Sequence, residues 1–252
     1  TLISECTYGS RLHRSFEDVA EEIKHILELA IINKGKIIIP AFALGRMQEL
    51  TYIIHKLTDA REIQSIPIYM DSPLGENITE VFSRYTADFD AEFWRDFGDK
   101  KESPFEFENL LRIQSSEESK ALNWKTGPLI VIAASGMAEG GRVLHHLKNG
   151  ITDKNNIVLI TGYQAENTLG RRILEGESPV KIYGQKYPVK AKIMVLNELS
   201  AHADQNDLFI YMSKTLGLKN LFLVHGELPE AVAFEKIVKE YTPALPIFIP
   251  EI

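Results

Sequence analysis

Apolar positions along the chain recur in two periods that take turns. Phe16, Val19, Ile23, Leu27, Ala30 and Ile31 fall on one stripe at helical spacing, which predicts an amphipathic helix from about Ser15 to Asn33. Gly35 ends it, and Lys36-Ile37-Ile38-Ile39 is the unbroken apolar run of a strand buried on both faces. The same rhythm predicts helix Leu44 to Leu57, strand Ile66 to Met70, helix Leu74 to Tyr85, strand Leu111 to Gln114, a helix near Glu117 to Asn123 and strand Leu129 to Ala133. Helix Gly141 to Lys148, strand Ile157 to Thr161 and helix Thr168 to Leu174 complete the series. An aromatic, charged stretch from Phe89 to Phe107 interrupts it and is expected as a surface excursion. Alternation of this kind implies right-handed crossovers and an α/β fold with a mostly parallel sheet.

The pattern changes after Gly176. Val180 to Tyr183 and Val189 to Leu196 are expected to pair as antiparallel strands across a short polar turn. Helix Gln205 to Ser213, strand Leu221 to Val224, helix Pro229 to Tyr241 and a last strand at Ile247 follow. A second domain is expected to begin near Gly176. No low-complexity linker or solenoid-length repeat is evident.

Composition narrows the function classes. The 252 residues, 44% hydrophobic and 25% charged, are ordinary for a soluble globular protein. No apolar run approaches the roughly 18 to 20 residues that span a bilayer, and Thr1-Leu2-Ile3-Ser4-Glu5 lacks the basic-then-apolar order of a secretory signal. A net charge of −7 argues against a protein that coats nucleic acid nonspecifically, but not against an enzyme gripping a few phosphates in a cleft. The single cysteine, Cys6, excludes an intramolecular disulfide and suits a reduced, cytoplasmic protein. No histidine is placed to activate it as a nucleophile, so a small buried residue is the expectation.

Four strand-to-helix turns are built for close approach of an anion. They are Pro40 to Arg46, Asp71 to Gly75, Ala134 to Arg142 and Gly162 to Arg172. Small residues let backbone N–H groups reach a phosphate, and an arginine just past the turn completes the charge. Arg46, Ser135, Gly136, Met137, Arg142, Arg171 and Arg172 are therefore candidate phosphate-binding residues. None of the turns has P-loop or dinucleotide spacing, and a glycine turn is as a rule structural. Among the histidines, His13, His25, His55, His145 and His146 lie in or beside helical stretches and are expected to be structural. His225 ends the apolar strand Leu221-Phe222-Leu223-Val224, and His202 stands between a strand and a helix start. Asp204 either orients the His202 ring or caps the next helix, the commoner role.

Glu5-Cys6-Thr7-Tyr8-Gly9, Ser200-Ala201-His202-Ala203-Asp204 and Val224-His225-Gly226-Glu227 resemble three signature motifs of the β-CASP group within the metallo-β-lactamase superfamily. Pro40 to Arg46, Ser135-Gly136-Met137 with Gly140-Gly141-Arg142, and Thr168 to Arg172 are similar to that group's turns, in the same order. The resemblance covers essentially the whole chain and is closest to bacterial and archaeal RNA nucleases and the pre-mRNA 3′-end endonuclease. It implies a parallel-sheet β-CASP domain with helices on both faces, plus the C-terminal part of a metallo-β-lactamase αββα fold. Residues 1–9 and 176–252 would belong to the metallo-β-lactamase domain and 10–175 to the β-CASP domain. It also implies a ribonuclease with two zinc ions in the complete protein. His225 would be a zinc ligand, His202 the leaving-group acid or charge stabiliser, and Glu5 the partner that holds His202. The chemistry suits these residue types: zinc activates water, and the departing oxygen takes a proton from a carboxylate-paired imidazolium.

This chain departs from the group in one respect. The His-x-His-x-Asp-His cluster, a further His and a bridging Asp, which family members carry upstream of the Glu5 motif, are absent. One ligand cannot hold a dinuclear centre. The chain is therefore expected to be a fragment that contacts RNA without cleaving it, with an apolar face meant for the missing N-terminal half. A homodimer is compatible with that face. A non-catalytic RNA-binding or scaffold module is the alternative, but a scaffold has no need of Glu5, His202 and His225 together. A flavodoxin-like domain would leave Ser200 to Glu227 unexplained.

Overall fold

The computed structural model describes residues 1–89, 91, 103–196 and 199–250. It opens on strand β1 (Leu2–Glu5) and then enters the expected alternation: α1 (Phe16–Asn33), β2 (Lys36–Pro40), α2 (Arg46–Asp59), β3 (Ile68–Asp71), α3 (Pro73–Arg84), β4 (Leu110–Arg112), α4 (Ser116–Leu122), β5 (Leu129–Ala133), α5 (Val143–Gly150), β6 (Ile157–Thr161) and α6 (Leu169–Leu174). Most of the stretch expected as a surface excursion, Phe89 to Phe107, lies outside the described residues. The chain folds as two units, one of Phe16–Leu199 and a smaller one that joins Thr1–Ser15 to Ser200–Ile252.

In the larger unit, the parallel sheet runs β4-β3-β5-β2-β6 and ends on β9 (Lys192–Leu196). Every pairing in it is parallel. β2 shows why both faces are apolar: Ile37 and Ile39 join the core under α1 and α2, while Ile38 joins the opposite core with Val143, Leu147, Leu169 and Ile173 of α5 and α6. The chain leaves β2 towards β3 and leaves β5 towards β6, on opposite sides of the strand order. The carboxyl ends of the adjacent strands β2 and β5 therefore flank a topological switch point, where open α/β sheets bind ligands.

The antiparallel pairing expected for Val180 to Leu196 needs correction. Val180–Ile182 (β7) folds back on Gln185–Tyr187 (β8), and β9 instead pairs in parallel with β6, from Ile157↔Lys192 to Thr161↔Leu196. Tyr183 and Gly184 both have positive φ, 49° and 79°. This is the two-residue turn whose twist matches a hairpin, so it closes one strand earlier than the apolar pattern suggested. β9 is thereby left to cover the open edge of β6.

The smaller unit holds a parallel sheet, β1-β10-β11, with β10 (Leu221–Val224) central and β11 (Ile247–Phe248) at the edge. Helices α7 (Gln205–Ser213) and α8 (Leu228–Tyr241) contribute Leu208, Met212, Ala231, Phe234 and Val238 to a core with Cys6, Leu221 and Leu223. On the other face, Ile3, Phe222 and Phe248 stand in register across the three strands, and Ile3 is 68% exposed. Among the described residues no helix is long and apolar enough to cross a membrane.

Candidate active site

β1 and β10 run in register to the pair Glu5↔Val224, and the Cys6 N–H extends the ladder by donating to the Val224 carbonyl at 3.1 Å. The two chains come this close because Gly226 lacks a side chain. A Cβ there would lie 2.5 Å from the Cys6 carbonyl oxygen and 2.6 Å from its Sγ. His225 adopts a left-handed conformation, φ 52°, which turns the chain out of the strand. Gly9 is similarly required, because a Cβ would strike the Glu230 carbonyl of α8.

Glu5 ties these ends to the loop before α7. Its Oε2 accepts the Thr7 N–H at 2.7 Å, its Oε1 accepts the Ala203 N–H at 3.0 Å, and Oε2 lies 3.4 Å from His202 Nδ1. Burial pushes the carboxyl pKa up, but hydrogen bonds from Thr7 and Ala203 and the facing His202 ring outweigh it and hold it below the usual value. The His202 and His225 rings stack with centroids 5.2 Å apart. The buried Thr7 hydroxyl lies 3.3 Å from His202 Nδ1 and 3.4 Å from His225 Nδ1, and donates to the His225 carbonyl at 2.9 Å. One ligand atom each from Glu5, His202 and His225 falls within 4.8 Å of the others. The Tyr8 ring meets His202 edge-on, with centroids 6.5 Å apart, and His13 likewise at 5.3 Å.

Asp204 takes the capping role. It accepts the Asp207 N–H of α7 and the His13 N–H, each at 2.9 Å, and the carboxylate facing His202 is Glu5. Burial raises the Asp204 pKa, yet those bonds hold it below the ordinary range. Cys6 is fully buried, and burial first, then the Glu5 and Glu230 charges, pushes its thiol up to about 11.

The candidate phosphate residues of the larger unit are mostly engaged within it. The Ser135 hydroxyl accepts the Glu139 and Gly140 N–H groups at 3.2 and 3.3 Å. The Gly136 carbonyl accepts from Gln164 Nε2 at 3.1 Å, and that of Met137 from the Gly170 N–H at 3.1 Å, so the turns after β5 and β6 are stapled together. The Glu139 carboxylate accepts the Leu169 N–H and so occupies the start of α6. Arg46 pairs with Glu49 at 2.6 Å and Arg171 with Glu175 at 2.5 Å. Arg172 Nε is buried without a hydrogen bond among the described residues. Arg142 turns inward: Nη1 reaches Asp71 Oδ1 at 2.6 Å and the Ile113 carbonyl at 3.0 Å, and Nη2 reaches the Gln114 carbonyl at 3.1 Å.

The Arg142–Asp71 pair belongs to a cluster which sequence reasoning missed. His146 Nε2 lies 2.6 Å from Asp71 Oδ2, and Ser119 Oγ donates to the same oxygen at 2.5 Å. Burial raises the Asp71 pKa, but hydrogen bonds from His146, Ser119 and Arg142 reverse the direction and hold it low. The available signal was an acid at the end of an apolar strand, Ile68-Tyr69-Met70-Asp71. Nothing in the sequence tied it to its partners, 48 to 75 residues away, of which Arg142 had been singled out for a phosphate instead. Of the other histidines, His55 is buried against Phe107 and the Pro104 carbonyl, and His145 Nε2 sits 3.1 Å from the Tyr183 hydroxyl.

The donor set suits zinc, which takes imidazole and carboxylate ligands. Both Glu5 oxygens already hold backbone N–H groups, the commitment of a carboxylate that orients a neighbour. The Nε2 atoms of His202 and His225 make no hydrogen bond among the described residues, which leaves two adjacent imidazole nitrogens for chemistry.

In the smaller unit a half-buried carboxylate thus stands beside two stacked imidazoles, a donor set compatible with a metal ion. The family model described as Beta-Casp domain matches residues 47–173, half of the chain, and one described as Zn-dependent metallo-hydrolase RNA specificity domain matches residues 186–250. The chain belongs to the β-CASP family of the metallo-β-lactamase superfamily. It is 36% identical over 237 residues to a ribonuclease of Thermus thermophilus, covering 94% of this chain and 54% of that protein. It is 34% identical over 255 residues to an RNase J-like protein of Methanocaldococcus jannaschii, covering 99% of this chain and 57% of that one. The endoribonuclease ysh1 of Schizosaccharomyces pombe is 31% identical over 268 residues, covering 99% of this chain and 34% of that protein. The chain thus spans just over half the length of the first two relatives.

Proposed function

We propose that this chain is the β-CASP part and C-terminal catalytic part of a zinc-dependent RNA phosphodiester hydrolase acting in the cytoplasm. The carrying observation is the convergence of Glu5, His202 and His225 from three separate chain segments within 4.8 Å. Glu5 faces the His202 ring at Nδ1 and orients it, so that His202 serves as the leaving-group acid or charge stabiliser at the departing oxygen. His225 would be a zinc ligand through Nε2, with the remaining ligands of a two-zinc centre supplied from outside these 252 residues. Zinc would supply activation of water and polarisation of the phosphate.

The switch point between β2 and β5 supports RNA contact at the turn of Ser135, Gly136 and Met137. Arg46, Arg171 and Arg172 lie on the helices that follow the flanking turns, and Arg142 braces the Ser135 turn from within. The stripe of exposed Ile3 and Phe248 with half-buried Phe222 between them supports the packing of further apolar structure on the smaller unit. By itself the chain is expected to bind RNA without cleaving it.

The test uses the full-length protein with zinc and end-labelled single-stranded RNA. His202→Ala should lower the cleavage rate by about a hundredfold or more while RNA binding persists. Cleavage at the unaltered rate, or a wild-type protein that binds RNA and never cleaves it, would overturn the proposal in favour of a binding module.

A further inference from the structure

The Thr7 hydroxyl is buried between the two imidazoles and has one proton to give. That proton goes to the His225 carbonyl, 2.9 Å away. Only lone pairs of Oγ1 then remain for His202 Nδ1 at 3.3 Å and His225 Nδ1 at 3.4 Å. Each contact is attractive only if the ring nitrogen carries the hydrogen, and a neutral imidazole has just one. We propose that Thr7 is a positioning residue that sets the tautomer of His225, keeping the proton on Nδ1 and the lone pair on Nε2.

The consequence differs between the rings. His202 Nδ1 has a second acceptor, Glu5 Oε2 at 3.4 Å, so its tautomer is doubly determined. His225 is exposed, and Thr7 is its one hydrogen-bonding partner at Nδ1 among the described residues. The same hydroxyl grips the His225 carbonyl, where the backbone has φ 52°. One side chain thus restrains both the peptide and the ring of this residue. The purpose of the arrangement rests on the proposed function, since a lone pair on Nε2 is what a zinc ligand needs; the hydrogen-bond logic stands without it.

The experiment is long-range ¹H–¹⁵N correlation of the imidazoles in the metal-free, ¹⁵N-labelled chain, at a pH well above the ordinary histidine value of about 6.5. In the wild type both rings should show a protonated Nδ1. In Thr7→Val, nearly the same shape without the hydroxyl, His225 should lose its single tautomer and show a mixture, while His202 keeps its own. Thr7→Ser should restore the wild-type His225 pattern. A wild-type His225 protonated on Nε2, or a Thr7→Val protein whose His225 stays as fixed as before, would overturn the inference. The wild-type spectrum decides even if Thr7→Val does not fold. Failure of the full-length protein to take up zinc or cleave RNA would remove the functional reading and leave the tautomer assignment untouched.

Discussion

Arg142 Nη1 lies 2.6 Å from Asp71 Oδ1, so a guanidinium that its turn offers to a phosphate is held by a fully buried carboxylate. Asp71 ends β3 and pairs with Ala133, the last residue of β5, just before the turn that leads to Arg142. Its second oxygen takes Ser119 and His146, from α4 and α5. One side chain therefore fastens two helices and the Ser135 turn to the carboxyl edge of the sheet.

Asp71→Asn should lower stability by about 3 kcal/mol, because it leaves Arg142 and His146 facing a neutral amide in a buried site. Urea denaturation measures this. A loss under about 1 kcal/mol would mean that the cluster is not the fastening described.

Acid sensitivity follows from the same carboxylate. The Asp71 pKa is lower in the folded chain than in the unfolded one. The group therefore contributes stability that is present above its unfolded value of about 3.9 and lost as pH falls through the folded value. Glu5 is depressed in the same direction and adds to the trend. Stability of the wild type should fall on acidification below about pH 4, and Asp71→Asn should show a shallower fall. Parallel profiles would refute the assignment.

Cys6 should be chemically quiet in the native state. It is fully buried and its thiol is pushed up to about 11, so little thiolate exists near neutrality. Thiol-specific reagents should label it only as fast as the chain unfolds. Labelling at the rate of a free cysteine in native buffer would contradict this.

Gly226→Ala should destabilise by about 1 to 3 kcal/mol, because its Cβ meets the Cys6 Sγ and the Cys6 carbonyl oxygen, and the latter is backbone that cannot rotate aside. Gly140→Ala is the contrast: nothing lies within 4 Å of the added atom, and its effect should stay within about 0.5 kcal/mol. Thermal melts of the pair check the claim, and equal effects would remove the steric argument.

The apolar stripe of Ile3, Phe222 and Phe248 should make the chain self-associate. Replacing Ile3 and Phe248 by lysine should return it to the size of a monomer in dynamic light scattering. A wild-type chain that is already a clean monomer would count against the stripe as a packing surface.

Local periodicity was enough to predict the βα alternation. Runs such as Ile37-Ile38-Ile39 have a single low-energy environment, a strand covered on both faces, and the structure gives them that. Periodicity could not order the strands. Nothing local in Lys192–Leu196 chooses the β6 edge over a neighbouring hairpin; the positive φ values at Tyr183 and Gly184 and the open edge of β6 decide it.

The candidate site was legible to the same depth. His202 and His225 stood out because each sits where a strand ends or a helix begins, while Glu5 was legible only through the resemblance of its motif to the β-CASP group. Their convergence depends on the β1–β10 register and the missing Cβ of Gly226, which bring residues about 200 positions apart into hydrogen-bonding range. The pairing of Arg142 with Asp71 and the placement of Thr7 between two imidazoles were settled by tertiary structure alone. A side chain's partners are chosen by what burial brings within about 3 Å of it, and that distance is a property of the folded chain.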